Sequence, residues 1–273
     1  MVTPHADVAS GRFTEAEFAA DLAEVLQGEA SPEYGDPLEF FRRTHFTGGL
    51  RQLLLNALRR LSGEGGDPVV ELQTAFGGGK THSMLALYHL FGGRVDPHEV
   101  PGLEEVLKEA GLARVPTARR AVLVGTALDP AKPRSKPEGL LVHTLWGEMA
   151  YQLGGVEGYR LVEEGDRRGV APGSDTLKEL FDRFAPALIL MDEWVAYLRN
   201  LHGEDLPAGT FDQNLTFAQA LTEAAKRSRR TLLVALHARL RRRGGGRAGA
   251  GGPLQAPERF WPAGVRVAAR HPG

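Results

Sequence analysis

A short apolar run that ends in a glycine-rich turn and a lysine constrains this chain more than any other stretch. Residues 69–73 (VVELQ) read as a buried strand between turn signals. They lead into Thr74, Ala75, Phe76, Gly77, Gly78, Gly79, Lys80 and Thr81, and a helical pattern follows over 81–91. Strand, glycine loop, lysine, threonine and helix in that order match the end of the pattern G-x-x-x-x-G-K-[S/T]. The first glycine of that pattern falls on Thr74, so the match is partial. Consecutive glycines let backbone N–H groups turn inward around anionic oxygens without a Cβ in the way. The following helix N-terminus adds its partial positive charge. The expectation is a phosphate cradle over Thr74–His82, with Lys80 reaching the β- and γ-phosphates of ATP and the Thr81 hydroxyl on Mg²⁺. A plain glycine turn with an incidental lysine is the competing reading of these residues alone.

A second motif gives the first its context. Residues 187–191 (ALILM) are an apolar strand that ends in Asp192 and Glu193. Asp192 suits the magnesium shell and Glu193 suits the preparation of an attacking water. The plainer alternative makes Asp192 a helix cap and puts Glu193 in the first turn of a helix starting at Trp194. Both motifs lie at the C-terminal ends of apolar strands, where open α/β sheets place their sites. Weaker candidates are Thr126 and Asp129 after a strand, and His237 after the last strand as a γ-phosphate sensor. His82 reads more simply as structural. Lys226, Arg227, Arg229 and Arg230 close a helix, either as an arginine finger for a neighbouring subunit or as solvated residues complementing the helix dipole.

Strand runs at 69–73, 120–126, 187–191 and 231–236 alternate with helical patterns at 81–91, 103–110, 140–154, 159–168, 177–184, 194–201 and 211–226. That order predicts an α/β fold with a mainly parallel sheet and helices on both faces, the P-loop NTPase class. Helical patterns at 14–27, 37–44 and 47–61 predict a helical segment over 1–64, ahead of a core over 65–237. Trp146, Tyr151 and Trp194 sit among apolar neighbours at helical spacing and are expected in the core.

The 273-residue chain has a net charge of −1, but its charge is uneven. Residues 238–273 hold eight arginines and one acid, with 19 Gly, Ala and Pro; the preceding residues carry a charge of −8. The composition breaks after an apolar strand without turn chemistry, so the tail is expected to lie outside the fold, as a disordered or out-of-frame end. A basic arm for nucleic acid is the functional alternative. The acidic body offers no basic stripe for direct DNA binding. With no cysteine, disulfides, thiolate metal sites and a cysteine nucleophile are excluded. No apolar run approaches a membrane span, and a cytoplasmic protein is expected.

Three stretches together resemble a known family: ELQTAFGGGKTHSMLALYHLF, LILMDEWVAYLR and the upstream EFFRRTHFTGGLRQLL. They look like the N-terminal ATPase part of the PglY/BrxC-like, AAA+-related proteins of bacterial BREX-type phage defence. That family's apparent use of Thr at the first glycine position would account for Thr74. The resemblance implies ATP binding and hydrolysis with Mg²⁺ in a DNA-linked multiprotein system. Its implied partners are adenine-specific DNA methyltransferases, other defence proteins or further copies of the chain. Family members are longer, which implies sensor and lid elements beyond this chain. The alternatives are a nucleotide-sensing regulatory module without useful turnover, or a DNA motor or helicase subunit.

Overall fold

The computed structural model describes residues 21–73, 79–201, 206–236 and 265–268, and for Gln73 and 265–268 only the backbone. Its main sheet has five strands. These are β1 (Val69–Gln73), β2 (Arg119–Val124), β5 (Ala187–Asp192), β6 (Thr231–Leu236) and β7 (Val265–Ala268), in the spatial order β2-β5-β6-β1-β7. Every pairing in it is parallel. A separate two-stranded hairpin joins β3 (Arg134–Ser135) to β4 (Leu141–Val142).

Side chains alternate along the strands and feed two cores. Val70, Leu72, Val122, Val124, Leu188, Leu190, Leu232 and Val234 enter one of them. Val69, Ala121, Leu123, Ile189, Met191, Leu233 and Ala235 enter the other. The first core is roofed by α1 (Leu22–Gln27), α3 (Pro37–Arg42), α4 (Gly48–Ser62), α5 (Lys80–Leu90) and α6 (Leu103–Ala110). A short α2 (Pro32–Gly35) links α1 to α3. The second core is roofed by α7 (Leu145–Arg160), α9 (Ser174–Arg183), α10 (Trp194–Arg199) and α11 (Phe211–Arg227), with α8 (Glu163–Arg168) following α7.

The helical segment ahead of the sheet is bound tightly to it. Thr47 starts α4 by accepting from the Leu50 N–H, and Leu53, Leu54, Ala57, Leu58 and Leu61 are all 1% exposed or less. At the far end of α4, Arg60 is 9% exposed and reaches the N-terminal edge of β6. Its Nε donates to the Thr231 carbonyl (2.8 Å), and its Nη2 donates to the carbonyls of Ala225 (2.8 Å) and Ser228. In return, Arg229 Nε donates to the Gly63 carbonyl and Arg230 Nε to the Leu61 carbonyl, both at 3.1 Å. These two arginines cap the open carbonyls of the α4 C-terminus. Arg227 pairs with Asp175 at 2.7 Å, and Lys226 is exposed. The basic cluster therefore sits at the start of β6, at the opposite end of the sheet from the end of β1.

Four sequence expectations are revised. Residues 140–142 belong to the hairpin, and α7 begins only after Thr144, whose Oγ1 accepts from the Gly147 N–H at 3.0 Å. The continuous helix expected over 159–168 is broken into the end of α7 and α8. Tyr151 is not in the core: its hydroxyl donates to Glu138 (2.8 Å) and its ring lies under the Lys136 ammonium (4.6 Å), whereas Trp146 and Trp194 are buried as expected. The tail was expected to stay outside the fold, yet Val265–Ala268 form β7, in register with Val70–Gln73. The alternating VRVA run suits an edge strand, and the surrounding Arg, Gly, Ala and Pro hide it from a composition argument.

On the outer edge of β2, one side chain takes the place of a neighbouring strand. The Gln152 amide on α7 accepts from the Val122 N–H (2.6 Å) and donates to the Val122 carbonyl (3.1 Å).

Removing the Arg60 guanidinium leaves three buried carbonyls short of a donor. Arg60→Met should therefore lower unfolding stability by about 2–4 kcal/mol in urea titrations at unchanged m-value, and Arg60→Lys should recover less than half of it.

Candidate functional site

The site is assembled at the C-terminal edge of the parallel strands. The pairing aligns Leu72 with Leu236, Ala235 with Met191, and Val124 with Asp192. Gln73 and Asp192 thus end at nearly the same level with one strand between them, about 10 Å apart across the sheet. The chain leaves β1 into α5 on one face and leaves β5 into α10 on the other. A crevice between oppositely directed connections is where open α/β sheets accommodate ligands.

Of the expected cradle, Thr74, Ala75, Phe76, Gly77 and Gly78 lie outside the described residues, as does His237. Gly79 is at the N-cap of α5 with φ 65°, a left-handed conformation that costs a glycine little. Its carbonyl accepts from the Ser83 N–H and Ser83 Oγ, both at 2.9 Å. Lys80, Thr81 and His82 occupy the first turn of α5, at the positive end of an 11-residue helix. The His82 side chain turns to the N-terminal helical segment. Its Nε2 lies 2.9 Å from Thr44 Oγ1, and its ring stacks on Phe40 with centroids 4.5 Å apart. It holds the helix to the N-terminal segment, in line with the simpler structural reading of this residue.

Asp192 ends β5 and is 5% exposed, and its Oδ1 is buried with no hydrogen-bond partner among the described residues. Burial, and then the adjacent Glu193 charge, push its carboxyl up to about 6, while the Glu193 backbone N–H, and then the Lys80 charge, pull the other way. A buried carboxylate with one oxygen left without a donor is a costly arrangement in a ligand-free protein. It fits a cation at this place.

Glu193 has φ 49°, a left-handed backbone on a residue that is not glycine. It is the N-cap residue of α10, and its side chain makes no capping bond. The plainer reading, in which Asp192 caps the helix and Glu193 lies in its first turn, is therefore corrected. The tight turn aims the Glu193 carboxylate across to β2, where its Oε2 accepts a short hydrogen bond from Thr126 Oγ1. The approach needs Gly125, because a Cβ there would stand 2.3 Å from the Glu193 carbonyl oxygen. Gly125 N–H also donates to the Asp192 carbonyl at 2.8 Å. Of the two weaker candidates after β2, Thr126 thus enters the site. Asp129 instead makes a turn, accepting from the Ala131 N–H at 2.9 Å.

Sequence reading missed three contributors. Gly125 shows only as a small residue closing a strand. Thr44 lies within the EFFRRTHFTGG stretch, but nothing in one dimension joins it to His82. Asp21, the N-cap of α1, adds a further negative charge that bears on Asp192. Among the described residues no group of three or more His, Asp or Glu side chains is arranged as a ready metal cage. No helix among them is long and apolar enough to cross a membrane.

Because Asp192 is harder to ionise folded than unfolded, its contribution to stability is present below about pH 4 and is lost as pH rises through about 6. Asp192→Asn should therefore stabilise the metal-free protein at pH 7.5 by up to about 3 kcal/mol and have little effect at pH 4, as read by thermal and urea unfolding at both pH values.

Comparison with known families gives one match: the model described as the DUF499 N-terminal domain aligns with residues 3–268, through the arginine-rich segment to the end of β7. No curated protein and no solved structure matches the chain.

Proposed function

The chain belongs to the DUF499 N-terminal domain family, and on that premise we propose that it is a P-loop, AAA+-like ATPase core that binds ATP with Mg²⁺ and hydrolyses it. The observation that carries this reading is Asp192. It is a buried carboxylate with one oxygen, Oδ1, unpartnered among the described residues, at the end of a central strand, one strand removed from the strand that leads to Gly79, Lys80 and Thr81. The resemblance of the two motifs to the PglY/BrxC-like proteins supports the same reading. It also supports a cytoplasmic setting beside DNA-modifying partners.

Each residue has a separate task in this mechanism. The first-turn amides of α5 and the Lys80 ammonium bind and orient the phosphates and offset their charge. Thr81 and Asp192 hold Mg²⁺, which when bound supplies further neutralisation of charge on the phosphates. Glu193 accepts a proton from the water that attacks the γ-phosphorus in line, while the bond to the bridging oxygen breaks and ADP leaves. The Thr126 hydroxyl fixes the orientation of that carboxylate. Positioning and electrostatics thus provide the acceleration, with no covalent intermediate on the protein.

The test is phosphate release from Mg-ATP, with and without duplex DNA. Glu193→Gln should retain nucleotide binding and lose turnover by at least about 100-fold, the usual weight of a general base. Lys80→Ala should lose both. Equal background release from the wild type and both variants would remove the hydrolase reading. Tight binding without turnover in the wild type would leave a nucleotide-sensing module, and stimulation by DNA would favour a motor.

A further inference from the structure

Among the described residues, His82 joins the first turn of α5 to the N-terminal helical segment. It immediately follows Thr81 in the first turn of α5. Its partner Thr44 lies just after α3, and the Thr44 hydroxyl has only one proton. That proton goes to the Phe40 carbonyl at 2.7 Å. Thr44 Oγ1 must therefore accept from His82, across 2.9 Å. This fixes the imidazole as the tautomer with its proton on Nε2. The Phe40 ring lies against His82 and also against His89, about two helical turns further along α5, with the second pair of centroids 5.1 Å apart. His89 Nε2 in turn lies 2.7 Å from the Tyr34 carbonyl. Burial, and then the neighbouring His89, hold the His82 imidazole below its ordinary value. The same segment approaches the acidic strand as well, since α1 packs on α5 and the Asp21 charge bears on Asp192.

We propose that His82 is a positioning residue: through its Nε2–H bond to Thr44 and its stacking on Phe40, it makes the N-terminal helical segment a structural part of the nucleotide site and couples that segment to nucleotide occupancy. This rests on the nucleotide-binding reading above. Lys80 and Thr81 directly precede His82 on the same helical turn. A tilt of that turn changes their approach to the phosphates, and the Thr44–His82 bond resists the tilt. In the other direction, a phosphate seated on the turn holds His82 in place and with it α3. Binding energy is thereby shared between the site and the segment.

Two measurements test this. In the ligand-free wild type, ¹⁵N imidazole spectra should show His82 protonated at Nε2, and a proton on Nδ1 instead would overturn the proposal. Thr44→Val, close in shape and without the acceptor, should weaken ADP binding and raise KM for Mg-ATP by roughly tenfold, the weight of one hydrogen bond with a donor left unsatisfied. Its kcat should stay within about twofold, and Thr44→Ser should restore the affinity. Wild-type ADP affinity in Thr44→Val, or a loss confined to kcat, would overturn it. If the wild type itself binds no nucleotide, the functional reading fails, and the tautomer measurement still decides the His82 arrangement independently.

Discussion

A parallel sheet buried on both faces dictates the rest of this molecule. Each of its strands must be followed by a connection that crosses one face before the chain can start again in the same direction. All the turns that follow strands then gather along one edge. In this chain that edge receives the start of α5 from β1, Gly125 and Thr126 from β2, and Asp192 and Glu193 from β5. The shared ladder sets their level. The alternation of side chains into two cores sets which connections leave on which side.

The residues at that edge are locally uncomfortable. Asp192 is buried with its Oδ1 left without a donor, and Glu193 has a left-handed backbone. Arg60, at the other end of the sheet, has three carbonyl acceptors and lies in a dense reciprocal network with Arg229 and Arg230. Strain and unsatisfied charge gather where chemistry is expected, and satisfied hydrogen bonding gathers where the framework is held.

Much of the framework was legible in one dimension. The four apolar runs are strands of the main sheet, because strands buried on both faces need continuous Val, Leu and Ile and cannot disguise it. The 103–110 helix has its predicted bounds, between Gly102 and Gly111. What escaped depended on contacts distant in sequence. The hairpin at 134–142 has strands of two residues, too short to show a period. β7 is hidden in a segment dominated by arginine, glycine, alanine and proline. In the site, Lys80, Thr81, Asp192 and Glu193 stand in local patterns and were found there. Thr44 and Asp21 act through tertiary packing and left no local pattern. His82 read as structural at the edge of the cradle motif, but one dimension could not name Thr44 as its partner. Successive helical residues point about 100° apart, and that rotation carries its ring to a different neighbour.

The Gln152 amide on the outer edge of β2 has a consequence for assembly. An unprotected outermost strand is a template on which a second chain can extend the sheet. At Val122 both halves of that template are already occupied by a side chain from the same molecule. The β2 edge is therefore closed at that position by the chain's own chemistry, and an overproduced chain has one fewer route into fibres there.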